Sequence, residues 1–139
     1  MLDYKNKKIS VSIINLKLNN IYSIYNALIE CGYKVKIIDG KVKDILSDIV
    51  IIPGVGSFPK AMDYLKKTSL DKKIEEFNFK KKPIIGICLG MQLLFQKSNE
   101  FSKCKGLSLL NGEVVKISNK KLRVPNIEFN KIKLIKKSQ

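Results

Sequence analysis

Cys88 is the residue whose type and setting in this sequence could most directly do chemistry. It stands between Gly86 and Gly90 in the pattern G-x-C-x-G. The apolar, β-branched run at residues 84–87 predicts a buried strand before it, and the helix formers at residues 89–95 predict a helix directly after it. Such a corner brings two backbones so close that only small residues fit two positions away on each side. The pattern therefore predicts a nucleophile elbow, where the positive end of the helix favours the thiolate.

A glycine-containing loop follows another apolar run. Residues 48–52 read D-I-V-I-I, which is typical of a parallel strand covered on both faces, and P-G-V-G-S-F-P follows at residues 53–59. Ligands bind at the carboxyl ends of strands in open α/β sheets. We expect backbone N–H groups there to form an oxyanion hole for acyl transfer to the Cys88 sulfur. These N–H groups belong to Gly54, Val55, Gly56 and Leu89.

Two plainer interpretations remain open for these glycine-flanked motifs. Cys88 is also compatible with a free, inert cysteine beside a tight turn, because buried cysteines are common in proteins. The loop at residues 53–59 is compatible with an ordinary glycine turn, and it lacks the G-x-x-x-x-G-K-[ST] pattern of a phosphate-binding loop.

The elements that must position these residues alternate between strand and helix over the first 98 residues. This order predicts the α/β class, with a flavodoxin-like, doubly wound and mostly parallel sheet. Asn19 or Asn20 is expected to cap the first helix and Gly32 to end it. The predicted strands are 8–14, 33–38, 48–52 and 84–87, the predicted helices are 21–31, 60–67, 70–79 and 89–95, and residues 42–46 are either a short helix or a turn.

The sequence after residue 98 gives weaker indications. Asn111-Gly112 predicts a tight turn between strands. Residues 123–130 read as a loop. Short strands are predicted at residues 113–117, 122–124 and 131–135.

Composition excludes several classes of protein. The 139 residues, 45% hydrophobic and 28% charged, are enough for one domain with one core. No apolar run approaches the roughly 20 residues that span a bilayer, and no secretory signal is evident, so we expect a cytoplasmic protein with no membrane partner. Three cysteines without a C-x-x-C pair, together with zero histidines, argue against a zinc site and a disulfide framework.

The net charge of +15 raises the question of nucleic-acid binding. Nearly all basic residues are lysines spread along the chain, and Arg123 is the sole arginine. Specific recognition of bases and phosphates favours arginine, and single-strand binding favours interleaved aromatic residues. We therefore expect no nucleic-acid partner.

Three stretches together resemble the triad-type (class I) glutamine amidotransferases, and most closely the glutaminase subunits of imidazole glycerol phosphate synthase. They are I-I-P-G-V-G-S-F-P-K-A-M at residues 51–62, P-I-I-G-I-C-L-G-M-Q-L-L-F at 83–95 and R-V-P-N-I-E-F-N at 123–130. The resemblance runs from about residue 8 to the last residue. It implies the class I amidotransferase fold and glutamine as the substrate, with no metal or cofactor.

The resemblance also implies roles for individual residues. Cys88 would attack the side-chain amide of glutamine, and Gln92 and Glu100 would contact the bound glutamine. The oxyanion strand would be Gly54, Val55 and Gly56, with Leu89 donating the other N–H. The ammonia would pass to a (βα)₈-barrel cyclase subunit, the heterodimer partner. Asn126 and Phe129, the latter where the family has tryptophan, would lie at the interface with that subunit.

Three departures from the family pattern bear on activity. The family's D-Y-G-x-G-N is N-L-K-L-N-N here, at residues 15–20, and its P-H-M-G-W-N is P-N-I-E-F-N, at residues 125–130. The family's catalytic histidine and glutamate belong to an H-P-E segment beyond position 139. Because the sequence has no histidine, no side chain is suited to move the proton of Cys88. We expect residues 1–139 to be one amidotransferase domain, incomplete at its C-terminal end and inactive alone.

Three alternatives to this function remain. A paralogous amidotransferase subunit of a surface-sugar pathway would keep the fold and change the acceptor. A degenerate subunit would bind a partner or glutamine without catalysis. Another cysteine hydrolase on the same sheet would use a similar elbow. In each case we expect the isolated chain to aggregate or to need a partner, because one edge and one face of its sheet would be exposed.

Overall fold

A four-stranded parallel sheet organises the first 88 residues. The computed structural model describes residues 8–18, 21–100 and 102–117, together with 131 and 133. Its strands are β1 (Ser10–Ile14), β2 (Lys34–Ile38), β3 (Ile49–Gly54) and β4 (Ile84–Cys88), in the spatial order β2-β1-β3-β4. Every neighbouring pair is parallel. This arrangement confirms the predicted flavodoxin-like, doubly wound α/β fold.

Four helices connect or follow these strands. They are α1 (Tyr22–Glu30), α2 (Phe58–Lys67), α3 (Leu70–Phe79) and α4 (Leu89–Leu93). The bounds of α3 agree with the prediction, and α2 begins two residues earlier than predicted, with a proline in its first turn. Proline suits that place because the first N–H groups of a helix need no helical partner.

One expectation about local structure was wrong, and another was reduced to one of its two alternatives. The N-cap of α1 is Ile21, which makes no side-chain capping bond, so neither Asn19 nor Asn20 occupies the cap position. Residues 42–46 form no helix, which leaves the turn alternative. The expected end of α1 is present, because Gly32 follows the helix with a φ of +84°.

One face of the sheet carries the main hydrophobic core. Residues at positions i, i+3, i+4 and i+7 of α2 are buried there, which explains why this amphipathic sequence forms a packed helix. The three large side chains of this set, Phe58, Met62 and Leu65, each contribute about 1.5–3 kcal/mol when fully buried. The fully buried core side chains include Ile14, Ile38, Ile52, Phe58, Met62, Leu65, Leu70, Ile74, Phe77 and Leu89.

The opposite face is covered unevenly. Val11, Ile13 and Ile51 are buried there. Ile85 pairs in register with Ile51, so the two side chains lie on the same face of the sheet. Ile85 is nevertheless 46% exposed, and Ile87, the next residue on that face, is 40% exposed. Among the described residues no strand pairs with the outer edge of β4. The sheet therefore presents aliphatic surface beside an unpaired strand.

A second, smaller sheet follows α4. Its strands are β5 (Phe95–Ser98), β6 (Cys104–Lys105) and β7 (Leu110–Val114), in the order β6-β5-β7, with β5 and β7 parallel. The predicted extension of the helix to residue 95 was wrong, because Phe95 pairs with Leu110 as the first residue of β5.

The prediction of a turn at Asn111-Gly112 was also wrong, because both residues lie inside β7. Phe95 of β5 pairs with Leu110 of β7, and the next printed pair is Lys97 with Glu113. Between these two pairs β7 therefore contains one residue more than β5. This extra residue is a β-bulge, and the φ of +129° at Gly112 explains why glycine is suited to it. The predicted strand at 113–117 is shifted towards the N-terminus. The predicted strand at 122–124 lies outside the described residues. Of the predicted strand at 131–135, only residues 131 and 133 are described, and neither is in a strand.

Candidate active site

The polypeptide turns from β4 into α4 with no residue between them. Cys88 ends the strand and is also the N-cap of the helix that starts at Leu89. Its φ of +55° and ψ of −117° lie in a region that non-glycine residues rarely adopt, at a cost of about 1–3 kcal/mol. Cys88 is exposed and forms no disulfide. The thiol is thus presented at the surface on a strained corner, the geometry that a nucleophile elbow requires.

Close contacts with the backbone of neighbouring elements explain why positions 86 and 90 are glycine. A Cβ on Gly90 would lie 1.6 Å from the carbonyl oxygen of Ile52, and a Cβ on Gly86 would lie 2.5 Å from the Cα of Met91. Both values are far below van der Waals contact. Any larger residue at either position would push α4 away from β3 and β4, so the spacing G-x-C-x-G follows from the closeness of these backbones.

The glycine motif after β3 lies beside the elbow, but its first glycine is not in a loop as predicted. Gly54 is the last residue of β3 and is paired in register with Cys88. A Cβ on Gly54 would come within 3.1 Å of the Leu89 Cβ. Val55 and Gly56 follow at the same edge of the sheet, with Val55 exposed and Gly56 at a φ of +105°. The four residues predicted to form the oxyanion hole therefore belong to two adjacent segments.

The two residues expected to contact glutamine occupy different places. Gln92 is half-buried in α4, one helical turn after Cys88. Glu100 follows β5, where its backbone N–H donates to the Oγ of buried Ser98 at 3.2 Å. No hydrogen bond or ion pair joins Glu100 to Cys88 or Gln92 within the described residues. Asn126 and Phe129, expected at a partner interface, lie outside them.

Three polar side chains with mutual contacts lie after β1, after β2 and in α2. Lys17 forms an ion pair with Asp39, and the Tyr64 hydroxyl donates to the same carboxylate at 3.4 Å. The hydrogen bond to Asp39 raises the pKa of Lys17, and desolvation, followed by the charge of Asp39, raises the pKa of Tyr64. Both shifts favour the protonated forms at neutral pH, so neither side chain is suited to act as a general base there.

Sequence reasoning missed two residues that support the elbow. Leu16 approaches Gly54, since its Cδ1 would be 3.2 Å from an added Cβ, and the Ile52 carbonyl lies against Gly90. Both are aliphatic residues in or just after apolar strands, and nothing in their type distinguishes them from other core residues. No group of three or more potential metal ligands occurs among the described residues.

Comparison with known proteins decides the family. The family model described as "Glutamine amidotransferase class-I" matches residues 12–137. The chain belongs to the class I glutamine amidotransferases. This amidotransferase chain is 42% identical over 123 residues to proteins named imidazole glycerol phosphate synthase subunit HisH from Bacillus cereus (strain AH187) and Bacillus anthracis (strain CDC 684 / NRRL 3495). The match covers 88% of this chain and 58% of each relative, so the chain spans less than two thirds of their length.

Solved structures agree on the fold. A structure described as a glutamine amidotransferase aligns with a TM-score of 0.65 at 17% identity, covering 76% of this chain and 55% of that one. A putative peptidase E from Listeria monocytogenes EGD-e aligns with a TM-score of 0.62 at 17% identity, covering 78% of this chain and 66% of the other. At these identities the similarity establishes the fold alone. In the described part of the chain, no helix has the length and apolar character to cross a bilayer.

Proposed function

We propose that this chain carries the thiol half of a glutamine-hydrolysing site and serves as a glutaminase subunit of imidazole glycerol phosphate synthase. The observation that carries the proposal is the exposed Cys88 on a strained elbow, paired with Gly54 of the P-G-V-G motif. The 42% identity to HisH proteins supports the choice of this branch of the family. The products would be glutamate and ammonia, with ammonia used by a cyclase subunit in histidine biosynthesis.

The chemistry begins at the Cys88 sulfur. The thiolate attacks the side-chain carbonyl carbon of glutamine, and the carbonyl electron pair moves to the oxygen. N–H groups of the segment from Gly54 to Gly56, with that of Leu89, stabilise this oxyanion. The C–N bond then breaks, and the nitrogen takes up a proton to leave as ammonia. Water hydrolyses the remaining thioester, which releases glutamate and restores the thiol.

Proton transfer is the step for which we find no suitable group among the described residues. The sequence holds no histidine, and no hydrogen bond to the Cys88 thiol is made by any described residue. A positioned general acid–base group typically contributes about 10²–10⁴-fold to rate. We therefore expect these residues alone to bind glutamine but to release glutamate slowly, and an additional general acid–base group to be needed for full activity.

The finer assignments follow from the same family branch. The chain would act in the cytoplasm as one amidotransferase domain, as the partner of a (βα)₈-barrel cyclase subunit. Asn126 and Phe129 would contact that subunit. Ammonia would then reach the acceptor without entering bulk solvent, which is the advantage of coupling a glutaminase to a synthase.

The test is glutamine protection of Cys88. The full chain is treated with iodoacetamide, with and without glutamine, and modification of each cysteine is followed by mass spectrometry. We expect glutamine to slow alkylation of Cys88 and to leave Cys31 and Cys104 unaffected. Equal rates with and without glutamine would contradict glutamine binding at the elbow.

A second assay separates binding from catalysis. Glutamate release is measured for the chain alone and with a cyclase subunit, with Cys88→Ser as the inactive control. Strong turnover by the chain alone would show that our account of the proton transfer is wrong. Glutamine protection without turnover, even with the cyclase, would favour the degenerate binding subunit, which the lack of histidine makes the second candidate.

A further inference from the structure

A cavity is lined by the first half of β1 and by most of β2, the strand at the opposite edge of the sheet from β4. It has a volume of about 250 Å³ and is closed on one side by residues 44–47. Because β1, β2 and β4 are all parallel, Ser10 and Lys34 mark the amino-end edge of the sheet and Cys88 the carboxyl-end edge. The cavity is therefore separate from the candidate active site.

The lining of this cavity includes a hydroxyl group that makes no hydrogen bond to any described residue. Ser12 is only 2% exposed and lines the cavity. Within the described residues its hydroxyl makes no hydrogen bond. Its neighbour on the same face, Ser10, behaves differently, because both the N–H and the Oγ of Ser10 donate to Asp48, at 2.9 and 2.6 Å. Among the described residues, the only fully enclosed side-chain oxygen or nitrogen without a partner is Asp71 Oδ1. The Ser12 oxygen is therefore open to the cavity, where it can bond to a ligand atom.

The wall of the cavity carries two ammonium groups. Lys34 and Lys36 are two residues apart on β2, so their side chains project from the same face, and they pair in register with Ser10 and Ser12. Neither lysine forms an ion pair with any described residue. Asp44 is the only acidic residue of the lining, and the nearby Asp48 carboxylate already accepts from the N–H and Oγ of Ser10. The two ammonium groups can therefore pair with an added anion.

The rest of the lining is apolar. Ile38, which is buried, and Leu46, which is exposed, both belong to the lining. Small-molecule sites generally combine an apolar lining with a few placed polar groups, in volumes of about 300–1,000 Å³. The present cavity is slightly smaller than that range and suits a compact molecule.

From these features we propose that the cavity between β1, β2 and residues 44–47 binds a small organic anion with an apolar body. The anionic group pairs with Lys34 and Lys36, a polar atom of the ligand bonds to the Ser12 hydroxyl, and the apolar body lies against Ile38 and Leu46. Carboxylates and phosphate monoesters share this chemistry.

The test is ligand-observed saturation-transfer NMR on the full chain, which tolerates self-association of the protein. Benzoate and phenyl phosphate are the two anionic probes, and benzyl alcohol is the neutral probe of similar shape. We expect saturable transfer to at least one anion and much weaker transfer to the alcohol. The stronger of the two anions identifies the head group that the site prefers.

Variants localise the binding. Lys34→Gln with Lys36→Gln should weaken anion binding about tenfold, because charge-assisted hydrogen bonds are lost. Lys66→Gln with Lys67→Gln, on the exposed side of α2, is the matched control and should change nothing. Ser12→Ala should also weaken binding, because it removes the hydroxyl that bonds to the ligand.

Three results would overturn the proposal. One is the absence of saturable transfer from either anion. Another is equal binding of benzyl alcohol and the anions. The third is anion binding that survives the lysine substitutions on β2, or that falls equally with those on α2, since either outcome would mean nonspecific attraction to a basic protein.

Discussion

Cys88 is held in an unfavourable backbone conformation by the structure around it. At a φ of +55°, a side chain with a Cβ is strained, and glycine is not. We expect Cys88→Gly to be more stable than Cys88→Ala by about 1 kcal/mol, the difference between relieved strain and the entropy cost of glycine. Urea denaturation of the two variants measures it.

Cys31 provides the control for this comparison. It is the C-cap of α1 with a φ of −73°, where alanine is unstrained. Here the order should reverse, with Cys31→Ala more stable than Cys31→Gly. If glycine were also the less stable choice at position 88, the strained elbow would be refuted.

Gly90 is expected to be the least replaceable glycine of the site. A Cβ there would overlap the Ile52 carbonyl oxygen at 1.6 Å, so Gly90→Ala must displace α4 from β3 and should cost about 3 kcal/mol or more. Gly40→Ala is the matched control, because its φ is +83° but nothing lies within 4 Å, and it should cost about 1–2 kcal/mol. Equal losses of unfolding free energy would contradict the close approach of α4 to β3.

Residue types predicted the elbow because its demands are local. A strand joined directly to a helix requires small residues two positions away, and the sequence shows Gly86 and Gly90 there. The supporting residues Leu16 and Ile52 could not be predicted, because their role depends on which strands become neighbours. For the same reason, the sequence could not predict where Glu100 lies relative to Cys88.

At the scale of elements, most boundaries followed from hydrophobic periodicity. The bounds of α3 were predicted correctly because its apolar positions repeat at helical spacing and buried residues follow them. The end of α4 was not, because the helix formers around Phe95 are overridden by pairing with Leu110. Likewise Asn111-Gly112, a sequence typical of tight turns, lies at a β-bulge within β7. Long-range strand pairing decided both cases, and no local pattern encodes it.

Residues after β1 and β2 meet a side chain of α2 in an electrostatic cluster that gives an element-scale prediction. Asp39 raises the pKa of both Lys17 and Tyr64, in each case by favouring the protonated form. Asp39→Asn should therefore lower the pKa of Tyr64, although burial still holds it above the ordinary value of 10.0. Ultraviolet titration, with Tyr64→Phe to assign the transition, measures the change.

The sign of the pH dependence follows from the same shift. Because folding raises the pKa of Tyr64, the folded state holds its proton more tightly, and unfolding becomes easier as pH rises through and above 10.0. Asp39→Asn should reduce this loss of stability at high pH. Asp63→Asn, which breaks only the Lys67 pair on the surface of α2, is the control and should leave the Tyr64 titration unchanged.

At the scale of the whole molecule, the sheet is covered well on one side and poorly beside β4. Ile85 and Ile87 expose aliphatic surface next to an unpaired strand edge of the described structure. Such surfaces drive association between chains. We expect the isolated chain to self-associate with rising concentration, as measured by size-exclusion chromatography with light scattering.

Two pairs of substitutions test the origin of that association. Ile85→Lys with Ile87→Lys should shift the population strongly towards monomer. Leu46→Lys with Ile117→Lys places the same charges at exposed aliphatic residues elsewhere and should have a smaller effect. A chain that is monomeric and melts cooperatively without any substitution would contradict the expectation.

The most direct test of the central claim is the labelling of Cys88 by a glutamine analogue with a chloromethyl ketone in place of the side-chain amide. Such a reagent needs both a reactive thiol and a glutamine site beside it. We predict that mass spectrometry will find the label on Cys88, with Cys31 and Cys104 unlabelled, and that glutamine will suppress it. Equal labelling of all three cysteines, or labelling of Cys88 that glutamine does not slow, would contradict a glutamine site at the elbow.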